Sequence, residues 1–208
     1  MQPEFCTSRT VRPGRWFVLL ASTVIAATLT LVFWVQPAAA QGDPITIPLA
    51  RTEPDLDGVC NSFNGEYADA AAFDFADAFG VTGKVYLKHD GASLYVCMIG
   101  ASSVNSTVGP FGSVYLDTDN GKETFAEKED LGLRVTIPAS TLSAHRGTGS
   151  GNYTPDPTVT GWSAAANTGN ADQAEWKIPL DLVSANRCDA FGIAVYHHWI
   201  TAVGDDYG

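Results

Sequence analysis

Apolar and polar positions alternate along much of the chain, and this period of two predicts β-strands rather than helices. Lys84-Val-Tyr-Leu-Lys-His89 alternates, Asp90-Gly91 supplies a turn signal, and Ser93-Leu-Tyr-Val-Cys-Met-Ile99 resumes as an apolar run, so the three together read as a hairpin. Gly112-Ser-Val-Tyr-Leu-Asp117 is a further strand meeting the turn-rich Thr118-Asp-Asn-Gly121. Leu131-Gly-Leu-Arg-Val-Thr-Ile137 alternates and stops at Pro138. Gln173-Ala-Glu-Trp-Lys-Ile178 and the aromatic, β-branched run Phe191 to Ile200 complete the strand set. Helical signal is sparse. Tyr67 to Phe79 is Ala-rich and reads as a short helix or an irregular loop, and Leu180 to Asn186 has room for one helical turn. Arg146 to Asn170, rich in Gly, Thr, Ser, Asn and Pro, reads as a long exposed excursion. The expected fold is therefore all-β, an antiparallel β-sandwich.

The N-terminus obeys a different pattern. Arg9, Arg12 and Arg15 precede an uncharged run of 20 residues from Trp16 to Val35, and Ala38 and Ala40 fit a cleavage site of small residues. Residues 1–40 are thus expected to be a signal peptide or, because the run is long enough to span a bilayer, an N-terminal membrane anchor. Either way the remainder, 41–208, is expected on the far side of the membrane, secreted or tethered through residues 16–35. Its 168 residues suit a single domain. The end at Asp205-Asp-Tyr-Gly208, directly after an apolar strand, gives the expectation that the domain is truncated at its C-terminus or belongs to a longer protein.

Charge narrows the partners. The chain carries −11 overall, and without the leader's three arginines and Glu4 the remainder carries −13. Nucleic acid and anionic lipid surfaces both demand neutralising cations, so neither is an expected partner, and the membrane is met only through the N-terminal segment. Cys6 leaves with a cleaved leader, which keeps Cys60, Cys97 and Cys188. An oxidising compartment then predicts one disulfide and one buried thiol; sequence does not select the pair, and Cys60 with Cys97 is the preferred one.

Few residues suggest chemistry. No G-x-S-x-G elbow, H-E-x-x-H or phosphate-binding glycine loop is present, and no two carboxylates are singled out for glycoside cleavage, so no enzyme is expected. Asp117-Thr-Asp-Asn-Gly121 has the look of a calcium loop but places Gly121 and Lys128 where an EF-hand needs oxygen ligands. His197 and His198 are neighbours on a strand and point to opposite faces, which disfavours convergence on one metal ion. Among the tryptophans, Trp176 shares a strand face with Ala174 and Ile178 and reads as core. Trp162 sits in the Gly/Ser/Thr-rich excursion and is a candidate for stacking on the apolar face of a sugar.

The order of motifs resembles the family 9 carbohydrate-binding-module-like superfamily, related to the DOMON domains. The resemblance runs through Leu56-Asp57-Gly58, Glu66-Tyr67-x-x-Ala70, Val85 to Asp90 with Leu94-Tyr-Val96, Ser113-Val-Tyr-Leu-Asp-Thr-Asp119 and Ala174-Glu-Trp-Lys-Ile-Pro-Leu180, most of residues 55 to 200. It implies a jelly-roll-like sandwich and non-catalytic carbohydrate binding. A late tryptophan contacts sugar in such modules, which points to Trp199, with His197, Asp205 and Asp206 nearby as hydrogen-bonding partners. The chain departs from the pattern before the Val114 strand, where it offers Phe111 and no tryptophan. Structural calcium, also implied, would draw on Asp117 or Asp119 with carboxylates from elsewhere. Some relatives bind haem through Met and Lys or His, for which Met98, Lys88 and His89 are the available residues. The alternatives to a sugar-binding module are accordingly a structural or adhesion module at the cell surface and a haem-binding electron-transfer domain.

Overall fold

A computed structural model of the chain describes residues 44–63, 65–76, 82–100, 111–121, 125–137, 139–167, 173–183 and 190–198. The expected leader and the C-terminal candidates Trp199, Asp205 and Asp206 lie outside the described residues, as does Cys188. The described chain forms strands β1 (Ala71–Ala76), β2 (Thr82–His89), β3 (Ser93–Ile99), β4 (Phe111–Asp117), β5 (Leu131–Thr136), β6 (Leu142–Gly147), β7 (Tyr153–Pro155), β8 (Ser163–Ala166), β9 (Gln173–Pro179) and β10 (Gly192–His198), with one helical turn, α1 (Leu180–Val183), after β9. All pairings between these strands are antiparallel. They make two five-stranded sheets, ordered β1-β2-β3-β9-β8 and β10-β4-β5-β6-β7. The fold is thus β-sandwich-like and all-β.

Alternation decides which residues meet between the sheets. Val85 and Leu87, Leu94, Val96 and Met98, and Ala174, Trp176 and Ile178 line the inner face of the first sheet; Val114, Leu116, Leu131, Leu133 and Val135 line that of the second. Trp176 is fully buried, and its indole Nε1–H donates to the Leu133 carbonyl of the opposite sheet at 3.1 Å. Gly112 makes room for it: a Cβ there would stand 2.8 Å from the indole and 2.7 Å from the Met98 methyl.

Sequence reading and structure differ in three places. The Ala-rich stretch holds edge strand β1 instead of a short helix or an irregular loop, because its Phe73 and Phe75 pack on the core beside β2. Leu142–Gly147, not foreseen as a strand, pairs with β5. The excursion from Arg146 to Asn170 contains β7 and β8 and a buried Val159, so it is not an exposed loop throughout; its two short strands add to existing sheet edges and need little hydrophobic pattern of their own.

The first sheet is also covered on its outer side. Residues before β1 run across it and enclose a second cluster of Cys60, Tyr67, Tyr95 and Cys97, with Ala70, Tyr86 and Ile99 against it. Cys60 and Cys97 form a disulfide that ties this covering segment to the middle strand of the sheet, closing a separation of 37 residues. A loop of that length lowers the entropy of the unfolded chain by about 4 kcal/mol in the chain-entropy description. The variant Cys60→Ser/Cys97→Ser is expected to lose stability on that scale in urea unfolding, and a loss below about 1 kcal/mol would mean that the covering segment is held by its other contacts alone.

Candidate functional site

Two groups of polar residues stand out, one on each outer face. The first lies under the covering segment and gathers the residues that carried the family resemblance. The Glu175 carboxylate is fully buried, and its Oε2 accepts the backbone N–H groups of Asp57, Gly58 and Val59 at 2.9, 2.6 and 3.2 Å. Gln173 Oε1 takes the next one, from Cys60, at 2.9 Å. Gly58 is needed at this turn twice over: its φ is +83°, and a Cβ would collide with the Ala166 carbonyl carbon at 2.3 Å. Glu66 Oε2 accepts the Asp55 N–H at 3.0 Å. Lys88, also fully buried, donates to the Glu66 carbonyl at 2.5 Å and pairs with Asp69 at 2.6 Å, with its ammonium 5.9 Å from the Tyr67 ring. The motifs Leu56-Asp-Gly58, Glu66-Tyr67 and Glu175 are therefore one clasp, whose visible work is to close the cover over the sheet.

The clasp is titratable. Burial, with the Glu66 charge as a lesser contributor, pushes the Glu175 carboxyl up to about 7, against the opposing pull of Tyr67 and the Gly58 N–H. Glu66 is also raised, by burial and then by Asp57 and Asp55, while its hydrogen bond from Asp55 opposes. Tyr67 Oη and Glu175 Oε1 are buried without a hydrogen bond by strict geometry, yet they lie close enough to perturb each other's ionisation. Asp57, Glu66 and Glu175 each bring one oxygen within 4.8 Å of the others. The backbone donors and Lys88 account for this arrangement without an ion.

The second group lies on the outer face of the β10-β4-β5-β6-β7 sheet. Register lays it out in rows: Tyr196, Ser113, Arg134 and Ser143 in one; Ala194, Tyr115, Gly132, His145 and Pro155 in the next. Phe111 and Tyr196 lie ring to ring at 5.9 Å, and the Arg134 guanidinium lies over Phe111 at 3.7 Å, its Nε–H donating to Ser113 Oγ at 3.3 Å. Tyr115 crosses Gly132 and meets Tyr153 at 4.8 Å between centroids. None of these four rings belongs to either buried cluster. Burial and the neighbouring Arg134 charge hold His145 below the usual imidazole value, so it is neutral near pH 7. Burial first, then Asp130, Tyr115 and Asp117, pushes the Tyr153 hydroxyl up to about 12.

The residues singled out by sequence fall as follows. Trp162 is half-buried and packs against the main core. His197 stands opposite Gly112 in β10, with its side chain outside the described residues. Asp117 and Asp119 both accept the Gly121 N–H, at 3.0 and 3.1 Å, and come within 4.8 Å of Asp130, which sequence did not single out. Met98 sits in the main core, whereas Lys88 lies on the opposite face of the same sheet, ion-paired to Asp69, so the two do not approach one iron. Arg134, Tyr115, Tyr153 and His145 were missed. In the sequence Arg134 is merely the polar position of an alternating strand.

No family model matches the chain, and no curated protein matches it. The reading of the site therefore rests on its chemistry.

Ionisation of the clasp gives stability a defined pH dependence. A carboxyl whose folded pKa is about 7 against an ordinary 4.5 binds its proton more tightly in the folded state. Its contribution is fully present below 4.5 and is lost as pH rises through about 7, on the order of 3 kcal/mol at most. Glu175→Gln keeps an oxygen for the three N–H groups and removes the charge. Its stability relative to the native protein is expected to improve from pH 4.5 to about 7 and to level off above that in urea titrations; a pH-independent difference would show that Glu175 ionises normally.

Proposed function

We propose that the protein is an exported, non-catalytic carbohydrate-binding module with a jelly-roll-like sandwich, in which sugar stacks on the aromatic outer face of the second sheet. The observation that supports this most directly is the pair of ring clusters, Phe111 with Tyr196 and Tyr115 with Tyr153, interleaved with Arg134 and His145. A pyranose needs such a mixture, since its C–H face seeks an aromatic surface and its hydroxyls seek donors and acceptors. Trp199, Asp205 and Asp206, which follow β10 in the sequence, join this reading; His197 alternates with Tyr196 and stands opposite Gly112, in the register row of the core, and so does not. Trp162 is a weaker participant, because much of its surface is turned to the core.

Calcium is a structural part of the same reading. The carboxylates of Asp117, Asp119 and Asp130 suit a hard cation in kind and in spacing. Such an ion would brace the loop beyond β4 against the start of β5, next to Tyr153. Addition of millimolar calcium to chelator-treated protein is expected to raise the melting temperature by several degrees, and Asp119→Asn to abolish the response; identical melting curves would remove calcium from the account.

Binding itself is tested by titrating the purified protein with a panel of soluble oligosaccharides while following intrinsic fluorescence. Saturable quenching is expected with at least one glycan. Tyr115→Ala and Trp199→Ala should each weaken it about tenfold, the scale of a lost ring contact of about 1.5 kcal/mol. A folded protein that responds to no glycan would favour the structural or adhesion module.

A further inference from the structure

Arg134 differs from the other cations of the two sheets. Lys84, Lys88, Arg146 and Lys177 are each paired with a carboxylate, of Asp74, Asp69, Asp156 and Glu53 respectively. Arg134 has none. It is half-buried, it uses Nε–H on Ser113, and its terminal nitrogens make no hydrogen bond to any described residue. The Phe111 ring beneath it and Ser113 beside it fix the plane of the guanidinium. In a chain with nearly twice as many acidic as basic residues, an arginine held rigid, partly desolvated and free of a carboxylate is a group prepared for an external one.

The rest of the face says what that external carboxylate is attached to. Tyr115 lies one strand and one row away from Arg134, roughly 8 Å between backbones given strands about 4.8 Å apart and rows roughly 7 Å apart. The guanidinium lies over Phe111, on the side of Ser113 away from Tyr115, so a glycan seated on Tyr115 meets it through a carboxylate carried along β4 past Ser113. The opposite end of the face is acidic, with Asp117 and Asp130 close enough to Tyr153 to oppose ionisation of its hydroxyl. That end repels a carboxylate, so the sugar has one favoured direction across the sheet. Because the protein as a whole is strongly acidic, recognition works on one carboxylate at a time at short range, without long-range attraction of a polyanion.

We propose that the outer face of the second sheet recognises a uronic acid residue of an acidic glycan, with Arg134 holding the sugar carboxylate and Tyr115 its apolar face. This rests on the carbohydrate-binding reading above and narrows it to one class of sugar.

The test compares oligosaccharides of galacturonic and glucuronic acid with the same oligosaccharides after reduction of their carboxyl groups, by isothermal titration with the full chain. The acidic form of at least one is expected to bind at least tenfold more tightly than its neutral counterpart. Arg134→Gln should erase that preference while leaving weak binding of the neutral form, and Arg134→Lys, which keeps the charge but loses the planar fork, should fall between. Far-ultraviolet circular dichroism and melting temperature verify that both variants are folded, and either one alone suffices for the comparison. Equal affinity for acidic and reduced forms overturns the uronate assignment and leaves sugar binding intact. An acidic preference that survives Arg134→Gln places the carboxylate elsewhere and overturns it as well. Failure of the folded native protein to bind any sugar, acidic or neutral, overturns both readings together.

Discussion

The structure depends on a buried carboxylate that anchors a covering segment by its backbone. Glu175 sits in the middle of the first sheet's outer face and collects three consecutive N–H groups of the Asp57-Gly58-Val59 turn. A buried carboxyl oxygen without donors would be expensive, and so would three buried N–H groups without an acceptor, so donors and acceptor hold each other in place. Everything beneath follows from this closure. Tyr95 and Cys97 are buried on an outer face that would otherwise meet water, Lys88 is enclosed with Asp69 and the Glu66 carbonyl as its partners, and Cys60 is brought to Cys97. The small helical signal and modest pattern of residues 44–70 matter little, because the segment is fixed by polar contacts and a covalent link more than by a hydrophobic stripe.

The same logic separates the two outer faces. On the first sheet the outward positions are long or charged groups with dedicated partners in the cover: Lys88 with Asp69, Lys177 with Glu53, Glu175 with the turn. On the second sheet the outward positions are rings, short hydroxyls, a neutral histidine and an arginine without a carboxylate. A face whose charges are satisfied internally is architectural. The second face instead combines aromatic surface with an unspent fork of donors, and this difference underlies the choice of the second sheet as the proposed binding surface.

Legibility in the sequence followed the same division. Strands β2 to β5, β9 and β10 were readable because each is long and has an inner face of alternating apolar residues, as in Val85 and Leu87 or Ala174, Trp176 and Ile178. Strands β1, β6, β7 and β8 were not, since Ala71-Ala-Phe-Asp-Phe-Ala76 or Ser163-Ala-Ala-Ala166 has little pattern until a neighbouring strand supplies the ladder. The Leu56-Asp-Gly58, Glu66-Tyr67 and Glu175 motifs were visible as a series, but their common purpose appears only when residues more than a hundred positions apart are seen to share hydrogen bonds. Arg134 and Tyr115 were illegible for a simpler reason. Outward positions of a strand are polar or aromatic whether or not they bind anything, and only register shows which of them are neighbours.

Register is also what connects the clasp to the proposed binding face. Along β9, Glu175 points outward to the turn and the next residue, Trp176, points inward, where its indole N–H reaches the Leu133 carbonyl. Along β5, Leu133 points inward and the next residue, Arg134, points outward to Phe111 and Ser113. Two successive residues on each of two strands thus span the molecule from cover to outer face. A slip of one residue in either strand would exchange inward and outward positions, burying Glu175 or Arg134 in an apolar core and exposing Trp176 or Leu133. The indole hydrogen bond and the carboxylate anchor therefore reject the same slipped arrangements from opposite ends. The alternation that builds the core is what sets Arg134 on its ring, one strand from Tyr115.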